Sequence, residues 1–148
     1  MTGTEAKHIE LLQDASKYIP VLFAPNTSLG IVVLRKLIVL AAEALGPDYD
    51  INILDVHHRH KKDSPSGTAL MLKESFESSR YVECTSLRAG GIFGDHSVTF
   101  AGENEVLKIE HRALNRGLFA QGALQAAMWL HGKKPGLYTM EDVVGISI

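Results

Sequence analysis

The chain has 148 residues, 45% hydrophobic and 22% charged, with 15 lysines and arginines against 17 aspartates and glutamates. That length suits about one domain, and the ordinary globular composition argues against long disorder. A net charge of −2 argues against a general nucleic-acid binder, whose phosphate contacts need a basic surplus.

The single cysteine, Cys84, has no partner for an intramolecular disulfide, which fits a reducing compartment. The most apolar run, residues 31–45, is broken by Arg35 and Lys36 and falls short of the roughly 20 apolar residues of a membrane span. The N-terminus lacks the charged-then-apolar order of a signal peptide. The expectation is a cytoplasmic protein that needs no membrane.

Residues 5–18 read as a helix, with Ile9, Leu12 and Ser16 on one face, Leu11 and Ala15 beside them, Thr4 as N-cap and Pro20 beyond the end. Residues 21–24, an apolar run between Pro20 and Pro25, read as a buried strand of parallel type. Asn26, Thr27 and Ser28 supply a polar turn and a helix cap. Residues 31–45 form a helix whose stripe is Leu34, Leu37, Ile38, Ala41, Ala42 and Leu45, ended by Gly46-Pro47. Residues 50–56 begin by alternating, as in a strand with one wet face. Residues 66–78 read as a further helix that packs Ala69, Leu70 and Leu72. Strands are expected at 81–84, 97–101 and 105–110, with a hairpin turn over Gly102–Glu105. An alanine-rich helix over 118–131 stops at Gly132 and Pro135. The order is α/β at the start and α+β later, with a mixed or antiparallel sheet.

The chemistry concentrates in His57-His58-Arg59-His60-Lys61-Lys62-Asp63-Ser64-Pro65-Ser66-Gly67-Thr68. This stretch leaves a strand end, crosses a loop and enters a helix, the place where α/β folds gather ligands. The first backbone N–H groups of a helix have no acceptor inside it. With Gly67 permitting close approach and two hydroxyls adding donors, the helix start is an anion site for carboxylate or phosphate. Histidine titrates near neutral pH, and a lysine among other cations becomes a usable acid. An anion clamp with proton donors points to an enzyme acting on a small acidic metabolite. A merely solvated basic loop is the bland alternative. A metal site lacks a carboxylate or cysteine at familiar spacing, and no aromatic residues interleave for nucleic acid. Trp129, Cys84, His96 and His111 are expected to be structural.

The segment from His57 to Leu70, with Asp55 before it, closely resembles the signature of the dihydrodipicolinate (4-hydroxy-tetrahydrodipicolinate) reductase family, Glu/Asp-x-His-His-x-x-Lys-x-Asp-x-Pro-Ser-Gly-Thr-Ala. The matches are Asp55, His57, His58, Lys61, Asp63, Pro65, Ser66, Gly67, Thr68 and Ala69. Further similar stretches are Phe23 to Gly30, Leu87 to Gly90, Gly94-Asp95-His96, His111-Arg112-Ala113 with Arg116, and Phe119 to Ala123. The resemblance covers nearly the whole chain. It implies hydride transfer from NADH or NADPH to a cyclic pyridine dicarboxylate in lysine and diaminopimelate biosynthesis. It implies acid/base work by His57, proton donation by Lys61, and substrate binding by His58, Ser66, Gly67, Thr68 and Arg116. Cofactor contacts fall on Thr2, Ala24, Pro25, Asn26 and Thr27, with no metal, and the family's sheet domain implies a homotetramer.

Family members open with a Gly-rich dinucleotide fold that is not matched here: the chain starts inside what resembles a Gly-Thr-Thr-Gly turn, with Met1 where a threonine is expected. Residues 78–87 are also shorter than the family's glycine-rich stretch. The expected organisation is a dinucleotide-domain remnant over 1–28, a substrate and tetramerisation domain over 29–116, and a returning helix over 117–148. The chain is thus expected to act as an inactive or incomplete fragment. The alternative is a non-catalytic dicarboxylate-binding or assembly module.

Overall fold

The computed structural model describes residues 6–146, so Thr2 and the Thr4 cap lie outside the described residues. The elements are α1 (Ala6–Ser16), β1 (Pro20–Leu22), α2 (Leu29–Leu45), β2 (Asp50–His57), α3 (Gly67–Lys73) and β3 (Val82–Arg88). There follow β4 (Asp95–Ala101), β5 (Val106–Arg112), α4 (Gly117–Leu130), β6 (Gly136–Tyr138) and α5 (Met140–Val144). The expected α+β class with a mixed sheet is what forms. No helix among the described residues is long and apolar enough to cross a membrane. The chain divides into two compact units, residues 33–116 and the residues up to 32 together with those from 117 onward.

In the unit made of the two chain ends, β1 pairs in parallel with β6, with Val21 opposite Leu137. Pro20 opens β1, where a missing N–H is tolerated. The parallel pairing agrees with the reading of residues 21–24, but the strand starts one residue earlier and is half-buried, because its described sheet has only two strands. Both β6 and α5 escaped the sequence reading, although Thr139 and Asp142 form a capping box, with Asp142 Oδ2 accepting from Thr139 N–H at 2.7 Å. Val32, Ala126 and Met140 form a buried core against which Leu22, Ala24, Leu29, Val143, Val144 and Ile146 pack. The expected polar turn caps α2: Ser28 Oγ accepts from Ile31 N–H at 3.3 Å, and Asn26 Oδ1 accepts from Ser28 N–H at 2.8 Å.

The unit of residues 33–116 is built on a four-stranded sheet in the order β3-β2-β4-β5, parallel between β2 and β3 and antiparallel elsewhere. Its register sorts one face into rows. Val82, Ile51, Phe100 and Leu107 form the first row, and Cys84, Ile53, Val98 and Ile109 the second. The third is Ser86, Asp55, His96 and His111, and in the next His57 stands between Arg88 and Gly94. This face is therefore apolar where β2 begins and polar where it ends. Ile51, Ile53, Val98 and Phe100 are all buried. Each such side chain contributes about 1.5–3 kcal/mol relative to exposure.

Gly46, at φ 74°, ends α2 as expected. Leu37, placed on the buried stripe by spacing, is instead 43% exposed, and Leu70 of α3 is 45% exposed. The helix expected over 66–78 stops at Lys73. Ser75 Oγ donates to Met71 O at 3.0 Å and accepts from Arg35 Nε at 2.8 Å. The following N–H groups of Ser75 and Phe76 bond back only three residues. The strand expected over 81–84 runs on to Arg88, because β2 offers it a partner along its whole length.

A Cβ on Gly122 would lie 1.8 Å from the carbonyl oxygen of Thr27, whose Oγ1 donates to Phe119 O at 2.8 Å. Backbone must then move, so Gly122→Ala is expected to destabilise by about 1–3 kcal/mol or more, read as a lower denaturant midpoint. An unchanged midpoint would contradict this packing.

Candidate functional site

The site grows from the polar end of β2. Asp55 is 0% exposed, and a carboxylate there needs partners on both oxygens. Arg88 Nη2 donates to Oδ2 at 2.8 Å, Ser66 N–H at 2.9 Å and Ser86 Oγ at 3.2 Å. Oδ1 lies 2.7 Å from His57 Nδ1 and 3.4 Å from His96 Nε2. The Oδ1 and Nδ1 atoms do not meet in a hydrogen bond of good geometry, so this is a close polar contact. Burial alone would raise the carboxyl's pKa. His57, His96, Arg88 and the Ser66 N–H outweigh it and hold the group far below the ordinary carboxylate range.

His57 is 8% exposed and stacks edge-on against His96, with ring centroids 5.1 Å apart. Gly94 stands on its far side: a Cβ there would lie 3.0 Å from His57 Nε2. The loop beyond is rooted in the end of β3. Ala89 N–H donates to His57 O at 2.9 Å, Arg59 N–H to Gly90 O at 3.2 Å, and Arg88 Nη2 to Asp63 O at 2.8 Å.

His58 is half-buried. Its partial burial comes first, then the neighbouring basic groups Arg116, His57, His60 and Lys61, in pushing its pKa below the usual value. Arg116, though exposed, is thus near enough to belong to the same cationic group. Lys61 faces an anion as well as cations: its Nζ is 2.9 Å from Asp63 Oδ1, and its side chain is 22% exposed. The lysine holds the Asp63 carboxyl below its ordinary pKa.

Ser66 is the N-cap of α3. Its hydroxyl accepts from Ala69 N–H at 3.2 Å and lies 3.3 Å from His96 Nε2. Both its N–H and its hydroxyl are thus turned inward, while Gly67 is exposed at the first helical position and Thr68 is half-buried. Ala24, Pro25, Asn26 and Thr27 lie in the other unit, on the turn before α2.

Arg88 and His96 fall in stretches that resemble the family but carry no expected site role, and Ser86 has no sequence signal at all. Only the strand register brings them to Asp55, so no local spacing signals them. Trp129 is half-buried as a packing residue against Tyr138, with ring centroids 5.4 Å apart. Burial raises the Cys84 thiol. Asp55, His57 and His96 are the described residues whose ligand atoms converge as a metal site's would. Yet the Oδ1–Nδ1 separation of 2.7 Å is shorter than the roughly 3.3 Å between two ligands of a tetrahedral zinc with bonds of about 2.0 Å. The Arg88 cation also occupies the same carboxylate.

Removing Arg88 would strand the buried charge, and Arg88→Ala is expected to cost about 3–5 kcal/mol at neutral pH. Asp55 titrates near pH 4 when unfolded and far lower when folded, so its contribution is present above about pH 4 and is lost as pH falls below it. Denaturation curves over descending pH should show wild-type stability dropping in that window.

Comparison with known proteins bears on the same residues. A model of the family described as "Dihydrodipicolinate reductase, C-terminus" matches residues 30–144. The 4-hydroxy-tetrahydrodipicolinate reductase of Wolinella succinogenes is 45% identical over 98% of this chain and 65% of its own length. That of Zymomonas mobilis is 43% identical over 97% and 65%, and that of Brucella abortus 42% over 99% and 63%. The chain thus spans just under two thirds of these relatives. The first alignment covers 167 residues, more than the 148 of the chain, so that relative carries residues inside the matched stretch that are missing here. Among solved structures, a dipicolinate-bound dihydrodipicolinate reductase from Paenisporosarcina sp. TG-14 shares the fold, with a TM-score of 0.75 and 22% identity over 94% of this chain and 60% of that one. With the family model matching most of its length, the chain belongs to the dihydrodipicolinate reductase family, in the region of its C-terminal domain.

Proposed function

We propose that this chain supplies the substrate-holding and proton-delivering part of a cytoplasmic reductase. The reaction is the NADH- or NADPH-dependent reduction of 4-hydroxy-tetrahydrodipicolinate to tetrahydrodipicolinate, with the 4-hydroxyl lost as water, in lysine and diaminopimelate biosynthesis. The observation that carries the reading is the basic group of Lys61, Arg116 and the imidazoles of His58 and His60 beside the buried Asp55–His57 pair. Such a group favours a dicarboxylate. The relatives, named as reductases, carry it toward reduction.

In this reading His58, Arg116, Gly67 and Thr68 hold the two carboxylates. Ser66, engaged with Asp55 and Ala69, aims that helix start. Lys61, its ammonium turned from Asp63 to the substrate, hydrogen-bonds the substrate and releases its proton to the reduced ring, and His57 exchanges protons with the substrate. A nicotinamide cofactor would supply the hydride. Its expected contacts are Thr2, outside the described residues, and Ala24, Pro25, Asn26 and Thr27. Asn26 Oδ1 and Thr27 Oγ1 are engaged with Ser28 and Phe119, and the Thr27 carbonyl lies under Gly122. What the chain's own side chains contribute to the reaction is the proton work of Lys61 and His57.

Calorimetric titration with pyridine-2,6-dicarboxylate tests the reading. Lys61→Ala is expected to bind about ten- to a hundredfold more weakly, the loss of one hydrogen bond from a charged group. Lys62→Ala, on an exposed side chain, should bind as wild type does. An anion beside His58 favours its charged form, so binding takes up a proton and affinity should fall from about pH 6 to about pH 8. No binding by the folded wild type, or equal binding by Lys61→Ala, removes the reading.

The same reading includes a homotetramer assembled through the sheet. β5 is an edge strand with Val106 64% exposed and Leu107 also exposed, an edge of the kind that folds cover or pair. Light scattering should report four copies, and a monomer at all concentrations would remove this part.

A further inference from the structure

We infer that Asp55 is the positioning residue of the site. It holds His57 in the tautomer with hydrogen on Nδ1, which leaves Nε2 as the nitrogen that exchanges a proton. The exchange rests on the function proposed above; the tautomer does not.

The assignment follows from what each oxygen meets. Oδ2 already accepts from Arg88, Ser66 N–H and Ser86. An ionised carboxylate offers only lone pairs, and Arg88 keeps this one ionised. Oδ1, 2.7 Å from His57 Nδ1, would face a second lone pair if that nitrogen were bare, and two acceptors at that distance repel. Nδ1 therefore carries hydrogen, even in a contact short of good hydrogen-bond geometry. In neutral imidazole only one ring nitrogen does, so Nε2 is the acceptor.

Gly94 completes the arrangement. It faces His57 across the antiparallel pair, and any side chain there would begin 3.0 Å from Nε2. Asp55 chooses which nitrogen is bare, and Gly94 leaves that nitrogen uncovered. Loss of the acid of an Asp–His pair is known to act through the wrong tautomer while leaving geometry intact.

Long-range proton–nitrogen NMR on the full chain with labelled histidines reads this directly, with His57→Gln identifying the signals. In the neutral ring, read by raising the pH until the His57 signals stop moving, wild type is expected to show Nδ1 protonated and Nε2 bare. The opposite pattern overturns the inference without any variant. Folded Asp55→Asn should lose the fixed pattern and Asp55→Glu should keep it; an unchanged pattern in folded Asp55→Asn overturns the inference. If Asp55→Asn does not fold, the wild-type pattern decides the Asp55 assignment, and Gly94→Ala tests Gly94 separately: the Nε2 resonance should move while Nδ1 stays protonated, and an unmoved Nε2 overturns the role of Gly94. The expected pattern in a chain that binds no pyridine-2,6-dicarboxylate would support the Asp55 assignment and remove the dicarboxylate reading.

Discussion

One buried carboxylate organises this end of the molecule. Asp55 lies where the face of β2 turns from apolar to polar, and its two oxygens collect groups from β3, β4, the end of β2 and the start of α3. An unpaired charge there would cost several kcal/mol, so the partners are requirements of the fold as much as features of the site. Strand register, helix start and loop path all have to agree for the carboxylate to remain ionised.

That shared requirement explains why the site and the sheet are inseparable. Ile51 and Ile53 hold β2 between apolar neighbours, and the same alternation then delivers Asp55 and His57 to the same face two and four residues later. The helix that follows begins at Ser66, whose backbone is drawn to Asp55 while its hydroxyl caps the first turn. A register slip of one residue would send the histidine and its carboxylate to the opposite face.

Much of this was legible in the sequence. The dense run His57–Thr68 announced a strand end, a loop and a helix start through residue types alone, and the turns at Gly46 and Gly102 were read from their glycines. The family pattern included Asp55 without saying what it does. Its role depends on Arg88 and His96, 33 and 41 residues further along the chain, which only the pairing of β2 with β3 and β4 brings near. The early end of α3 was hidden for a similar reason: a serine hydroxyl and a distant arginine stop it, and neither breaks a helical pattern. The short β6 gives no periodicity to read, whereas Thr139-x-x-Asp142 was a visible signal for α5 that went unused. Leu37 shows the opposite limit, since helical spacing says which residues share a stripe but not how wide the covering is.

The loop between β2 and α3 is pinned at its root by three bonds from the end of β3, one of them from Arg88 to the Asp63 carbonyl. A segment tied in this way behaves as a wall and not as a flap. On the proposed reading, its backbone presents the basic side chains from a fixed frame, and a ligand must match that frame rather than induce it. A flat ring whose two carboxylates are held apart by its own bonds enters such a socket with little left to order. An open-chain diacid of the same charge must first freeze its rotors, at about 0.5–1.5 kcal/mol for each flexible group immobilised. Selection between the two then follows from stiffness, with no contact unique to either.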